Sequence, residues 1–142
     1  MSGLIGDIGS RSGIIKPDVE EYYTSSFSNS WNAWDITNPP SDENGMTIQR
    51  YGKIYVIHLA IYRTNQTTGI SSSSQIKTLT SSDITLPSEN VRLGANIYGD
   101  SSQSDKTTRL LFNTAGNVTI YYTHDAGSTF YALGNFIGID QG

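Results

Sequence analysis

Short runs of alternating apolar and polar residues, separated by polar turns, fill the chain from Trp31 onward. Successive side chains of a strand point to opposite faces, so this pattern indicates an all-β domain of antiparallel strands. Glycine supplies the positive φ that tight turns need, which predicts hairpins at Tyr51-Gly52-Lys53 and Thr114-Ala115-Gly116-Asn117. The polar runs 39–45, 71–74 and 100–105 are predicted to be surface loops. The predicted strands lie near residues 31–37, 46–51, 53–63, 75–80, 91–99, 106–113, 117–123 and 129–139.

The run 53–63 is apolar at both odd and even positions. Tyr55, Ile57, Leu59 and Ile61 define one face, and Ile54, Val56, Ala60 and Tyr62 define the other, where only His58 interrupts. An antiparallel strand at the surface normally has one polar face, so a second apolar face requires a cover. We favour a symmetric oligomer over a monomer with a covering loop. The predicted oligomer interface consists of Ile54, Val56, His58 and Tyr62.

The last predicted strand repeats this two-sided pattern. Its apolar residues divide between one face with Phe130, Ala132 and Phe136 and another with Tyr131, Leu133, Ile137 and Ile139. Two such strands in a chain without cysteine indicate that stability comes from packing or assembly rather than from disulfides.

The first residues of the chain differ from the rest, since glycines alternate there with large aliphatic side chains. Asp7 and the glycines interrupt the apolar positions, so we expect no secretory signal. We predict an extended N-terminal anchoring arm over residues 1–20 and a head domain over residues 21–142. A frayed terminus is the alternative for this segment. The candidate anchoring residues are Leu4, Ile5, Ile8, Arg11, Ile14 and Ile15.

Composition excludes several classes of partner. The 142 residues suffice for one domain, 15% are charged, and the formal net charge is −4. The nine basic residues are scattered, so we expect no nucleic-acid partner. No apolar run has the length of a membrane span, so we expect no membrane insertion. Two histidines without cysteine make a metal site improbable, and no cofactor is expected.

The residue types that catalyse reactions are present without an arrangement that indicates an enzyme. His58 lies mid-strand among apolar residues, which favours a hydrogen-bonded core or interface histidine. His124 adjoins a turn signature, and no motif pairs the loop carboxylates as acid and base. Aromatic residues among Asn, Ser and Thr are better suited to binding sugars, although most should belong to the core. The candidate glycan-binding residues are Trp31, Trp34 and Tyr98.

The stretch Gly9-Ser10-Arg11-Ser12-Gly13-Ile14-Ile15 resembles a short segment of tail-fibre, head-fibre and other appendage proteins of tailed bacteriophages, where a β-rich domain follows. The resemblance covers nearly the whole chain. It implies a jelly-roll-like antiparallel β-sandwich, a homotrimer and a place on the virion surface after synthesis in the host cytoplasm, and it transfers no catalytic residue. Segments similar to those domains follow in order at 31–34, 48–56, 84–87, 109–113 and 116–120.

These features together favour a non-enzymatic virion structural protein. It would be a short trimeric spike, fibre or decoration protein, because no coiled coil, triple β-helix or collagen-like repeat separates arm and head. Its partners would be other virion proteins of the capsid or of the baseplate and tail, further copies of itself, and host cell-surface glycans. The alternative is a free-standing carbohydrate-binding module or lectin.

Overall fold

The computed structural model describes residues 19–34, 45–64, 70–97, 109–124 and 130–142. These ranges contain strands, turns and bends but no helix, and every strand pair within them is antiparallel. The predicted all-β class is confirmed. The strands are β1 (Val19–Thr24), β2 (Asn32–Ala33), β3 (Gly45–Tyr51), β4 (Ile54–Arg63), β5 (Ile70–Thr78), β6 (Val91–Ile97), β7 (Arg109–Phe112), β8 (Asn117–His124) and β9 (Phe130–Ile139).

The strands form one continuous sheet in the order β1-β3-β4-β9-β6-β7-β8-β5, and β2 pairs with β4. Strand β6 carries the sheet around a bend, because residues 94–97 pair with β9 whereas residues 91–93 pair with β7. The sheet thereby curls into a half-barrel. A two-layer sandwich or jelly roll is not confirmed.

The hydrophobic core lies inside the curl. Tyr55 of β4 meets Phe112 of β7 edge to face, with ring centroids 5.3 Å apart and planes at 83°, although β9 and β6 separate these strands in the sheet. This contact across the interior follows from the curvature. The buried core comprises Trp31, Met46, Ile48, Tyr55, Ile57, Leu59, Ile61, Ile76, Leu79, Ile84, Val91, Leu93, Leu110, Phe112, Val118, Ile120, Ala132 and Phe136.

The segment after β1 reaches across to β5, which is the other end of the sheet order. The Ser28 amide donates to the Ile76 carbonyl at 2.9 Å, and the Asn29 side-chain amide donates to the Gln75 carbonyl at 2.7 Å. These bonds satisfy carbonyls of an end strand that would otherwise offer an open edge. The core is therefore covered on this side by the chain itself.

Both predicted hairpins are confirmed, one between β3 and β4 and one between β7 and β8. Gly116 has a φ of +88°, and a Cβ at this position would lie 2.0 Å from the Leu79 carbonyl oxygen. Only glycine fits both the turn and this close approach.

Three local predictions differ from the structure. The run 71–74 is not a loop but part of β5, where it pairs with β8. Serine is tolerated there because the backbone ladder and the neighbouring strand decide the conformation more than intrinsic propensity does.

Strand β1 occupies residues that we did not predict as strand and overlaps the end of the predicted arm. Of the predicted strand 31–37, β2 covers only two residues, and residues 35–37 lie outside the described ranges. Of the predicted loop 39–45, Gly45 is instead the first residue of β3, and residues 39–44 lie outside the described ranges, as does the predicted loop 100–105.

Candidate functional site: an apolar outer face of the sheet

The two apolar faces of strand β4 lie in different environments. Tyr55, Ile57 and Ile61 are at most 1% exposed and belong to the core. On the opposite face Ile54 is 41% exposed, and His58 is only partly covered. The alternation predicted for this strand is confirmed, and its second face lies on the outside of the half-barrel.

Among the described residues whose side-chain exposure is defined, five large hydrophobic residues are exposed, and all five belong to strands β1, β4 and β9 on one outer face. Their exposed fractions range from 41% to 57%, with the highest values on β9. We call this set the outer patch. It consists of Val19 and Tyr23 of β1, Ile54 of β4, and Ile137 and Ile139 of β9.

The strand register explains why these residues are neighbours. Val19 pairs with Tyr51, Tyr51 with Ile54, and Ile54 with Ile139, so four adjacent strands contribute to one row. With strands about 4.8 Å apart, such a row is about 14 Å wide. The next row, two residues along, runs Glu21, Gln49, Val56 and Ile137, and the third runs Tyr23, Thr47, His58 and Asn135.

The polar side chains of this face pair with one another. His58 Nδ1 donates a hydrogen bond to Asn135 Oδ1, which confirms the hydrogen-bonded histidine expected in this strand. Gln49 donates from Nε2 to a Glu21 carboxylate oxygen at 2.8 Å. His58 and Gln49 already have partners on the same chain, so a covering surface would bury them without leaving them unpaired. Burying the charged Glu21 carboxylate, which accepts this hydrogen bond from a neutral amide, would be costly.

The outer patch is apolar, as the centres of protein interfaces usually are. Fully burying one large aliphatic side chain stabilises an assembly by about 1.5–3 kcal/mol before the costs of association are subtracted. A stable interface buries about 800 Å² on each partner, more than a patch some 14 Å wide supplies alone. The patch would therefore form the apolar middle of a larger contact that includes the neighbouring polar rows.

The predicted interface residues occupy two places. Ile54 belongs to the outer patch, and Val56 and His58 lie in the adjoining rows. Tyr62 lies at the far end of β4, opposite Tyr131, and is half-buried. The structure thus brings three of these four residues together beside β9, while their role as an oligomer interface stays a prediction.

The two described candidate glycan-binding residues, Trp31 and Trp34, differ in burial. Trp31 is 3% exposed, and its Nε1 donates to Ser74 Oγ at 2.9 Å, so its ring packs in the core and offers no open face. Trp34 is half-buried, with its backbone amide bonded to the Ala60 carbonyl. Tyr98 and the six candidate anchoring residues lie outside the described residues.

Sequence reasoning missed Val19 and Tyr23 as members of this face. Residues 19–24 have the sequence Val-Glu-Glu-Tyr-Tyr-Thr, in which apolar and polar residues do not alternate with a period of two. Only the pairing of Val19 with Tyr51 and of Tyr23 with Thr47 assigns them to the outer face. That pairing is long-range, so no local signal could have identified it.

Other kinds of site find no support in the described residues. These ranges hold no cluster of three or more His, Cys, Asp or Glu side chains arranged to bind a metal ion. The described part of the chain also includes no helix with the length and apolar character that a bilayer crossing requires. Comparison of the chain with models of known families, with curated proteins and with solved structures found no match.

Proposed function

We propose that this protein is a non-enzymatic structural protein of a tailed-bacteriophage virion. It forms a homotrimeric spike, short fibre or decoration protein, made in the host cytoplasm and displayed on the particle surface. Its N-terminal arm anchors it to capsid or tail proteins. Its β-rich head, which we propose to be a jelly-roll-like sandwich, faces outward toward host glycans.

One observation carries the assembly part of this proposal. Among the described residues whose side-chain exposure is defined, the exposed large hydrophobic residues share one outer sheet face, whereas isolated surface hydrophobics are usually scattered. Around a threefold axis the same patch of three copies can meet and be covered. Three arms gathered by one trimer would also convert a weak single anchor into a multivalent one. The phage assignment is supported by the resemblance of residues 9–15 and of the order of the segments that follow.

The decisive experiment measures the oligomeric state of the full chain by sedimentation equilibrium. We expect the wild-type protein to have three times the chain mass, and Ile137→Glu to dissociate it, because each subunit would bury an unpaired carboxylate. Ala115→Glu is the matched control, since it adds the same charge in the exposed β7–β8 turn, and we expect it to remain trimeric.

A monomeric wild-type chain, or an Ile137→Glu variant that stays trimeric, would contradict the assembly proposal. A monomer that still binds glycans would favour the free-standing lectin. Labelling of purified particles with antibodies against the head tests the virion location separately, and its absence from particles would refute the structural role.

A further inference from the structure

The outer side of β6, β7 and β8 carries a second surface, on different strands from the outer patch. Here a groove of about 280 Å³ runs beside two arginines. We call it the arginine groove. Its described lining consists of Asn90, Arg92, Arg109, Leu110, Leu111 and Tyr121.

The register of β6 and β7 brings the two arginines together although 16 residues separate them in sequence. Arg92 lies directly opposite Leu111, and Arg109 is two positions before Leu111, on the same face of β7. Diagonal neighbours of this kind have backbones about 7–8 Å apart, within reach of long side chains. Both arginines must point outward, because their chain neighbours Val91, Leu93 and Leu110 are buried.

Arg109 is held in place by an aromatic ring. Its guanidinium carbon lies 4.7 Å from the centroid of the Tyr121 ring, a cation–π contact between directly paired residues of β7 and β8. This contact restricts the side chain before any ligand arrives, which lowers the entropic cost of binding.

The positive charge of this groove is not neutralised by the described residues. Arg50 and Glu20 form an ion pair on the other side of the sheet order, and no carboxylate is among the described residues that line the arginine groove. At physiological salt the Debye length is about 8 Å, so the formal net charge of −4 of the whole chain repels an anion here only weakly.

The lining matches one class of ligand chemically. Two guanidinium groups can bind a carboxylate through charge-assisted, bidentate hydrogen bonds. The Asn90 amide adds neutral hydrogen-bonding capacity, and Leu111 and Tyr121 add apolar surface of the kind that contacts a sugar ring. A neighbouring groove of about 440 Å³ shares Asn90 and Arg92, but Glu89 and the outer-patch residues Ile137 and Ile139 also line it. The site for an anionic ring is therefore restricted to the arginine groove.

We infer that the arginine groove binds a carboxylated saccharide, such as a uronic-acid unit of a surface polysaccharide. This inference rests on the proposed function only for the source of the ligand, since the groove lies within one chain. Its test does not depend on the oligomeric state, so failure of one proposal leaves the other standing.

The experiment titrates the full chain with trigalacturonic acid and, as the matched neutral probe, with its methyl ester, using isothermal calorimetry. We expect the acid to bind and the ester to bind at least about tenfold more weakly, because the neutral ester cannot form charge-assisted hydrogen bonds with the two guanidinium groups. Arg92→Gln and Arg109→Gln should each weaken binding of the acid about tenfold or more. Lys53→Gln removes the same charge in the β3–β4 turn, outside both grooves, and should bind like the wild type.

Circular dichroism of each variant confirms that the fold is retained, which is expected for exposed arginines. The inference is overturned if the acid does not bind, or if the ester binds equally well. It is also overturned if inorganic phosphate or a short polyglutamate peptide competes as strongly as the saccharide acid, because the groove would then recognise any anion or an acidic protein segment.

Discussion

The inner and outer faces of β4 and β9 are almost equally apolar in sequence but have opposite fates in the structure. On the inner face Ile57 pairs with Phe136, and both are fully buried. On the outer face Ile54 pairs with Ile139, and both are exposed. Periodicity reports that a face is apolar, but it does not report what covers it. The inner face is covered by the curl of its own sheet. In our proposal, further copies of the chain cover the outer face.

The largest effect should come from Ile57→Ala on the inner face. The substitution removes buried methyl groups and leaves a cavity, which costs about 2–5 kcal/mol in the free energy of unfolding. The control is Ile137→Ala on the outer patch, where more than half of the side chain is exposed. Urea denaturation at a protein concentration where the chain is monomeric should show a change below about 1 kcal/mol for this control. Equal losses in the two variants would contradict the division into inner and outer faces.

How much of this division the sequence predicts can be judged from particular strands. The faces of β4 and β9 follow from alternation alone, and so do the two hairpins with Gly52 and Gly116. The curl does not follow, because it depends on β6 pairing with β9 through one half and with β7 through the other. Local patterns contain no information about such long-range pairing.

The same limit applies to the candidate sites. Ile54, Val56 and His58 could be assigned to one face from a single strand, but the contribution of β1 to the outer patch required its register with β3. Arg92 and Arg109 were visible only as scattered basic residues until pairing placed them beside one groove. For the serine run 71–74 the sequence was misleading, because its composition indicated a loop whereas the run forms part of β5 and pairs with β8.

The second prediction concerns Gly138, which lies on the inner face of β9 next to residues 91–93 of β6. A Cβ at this position would lie 2.6 Å from Val91 Cγ1 and 2.7 Å from the Arg92 carbonyl oxygen. We expect Gly138→Ala to destabilise the fold by about 1–3 kcal/mol, since overpacking forces backbone or side-chain shifts. Gly94→Ala is the control, because an added Cβ there meets nothing within 4 Å on the outer side.

Thermal unfolding of the two glycine variants measures the difference. Gly94→Ala should leave the midpoint unchanged or raise it slightly, because alanine reduces the entropy of the unfolded chain. A Gly138→Ala variant as stable as the wild type would show that β9 and β6 can separate without cost, and the inner packing at the bend would then be looser than described.

The smallest predicted effect concerns Asp140, which follows β9 and is 8% exposed. Its carboxylate accepts a hydrogen bond from the Ser88 amide at 2.7 Å and another from the Gly142 amide at 3.1 Å. The Ser88 backbone hydrogen bond is the largest influence on this group, and together with the other donors it outweighs desolvation and lowers the pKa of Asp140. Asp140→Asn keeps one acceptor oxygen and loses the other, so we expect a loss of about 1–2 kcal/mol at neutral pH. The control is Asn135→Ala, which removes an exposed hydrogen-bonding partner on the outer face and should cost less.

The pH dependence gives this prediction a second readout. Because the pKa of Asp140 is lower in the folded chain than its unfolded value of about 3.9, its contribution to stability is complete above that value. The contribution is lost as the pH falls from about 4 through the folded pKa. Burial alone would raise the pKa of Glu20, but the hydrogen bonds from Thr85 and Arg50 outweigh the effect of burial, so the pKa of Glu20 is also lowered. The unfolding free energy of Asp140→Asn should therefore still fall with decreasing pH, but less steeply than that of the wild type. Urea denaturation between pH 2 and pH 7 should therefore give a flatter acid limb for Asp140→Asn than for the wild type or Asn135→Ala. An unchanged slope would mean that the free energy of unfolding does not depend on the charged form of Asp140. The buried carboxylate of Asp140 would then contribute no more to stability than the exposed amide of Asn135.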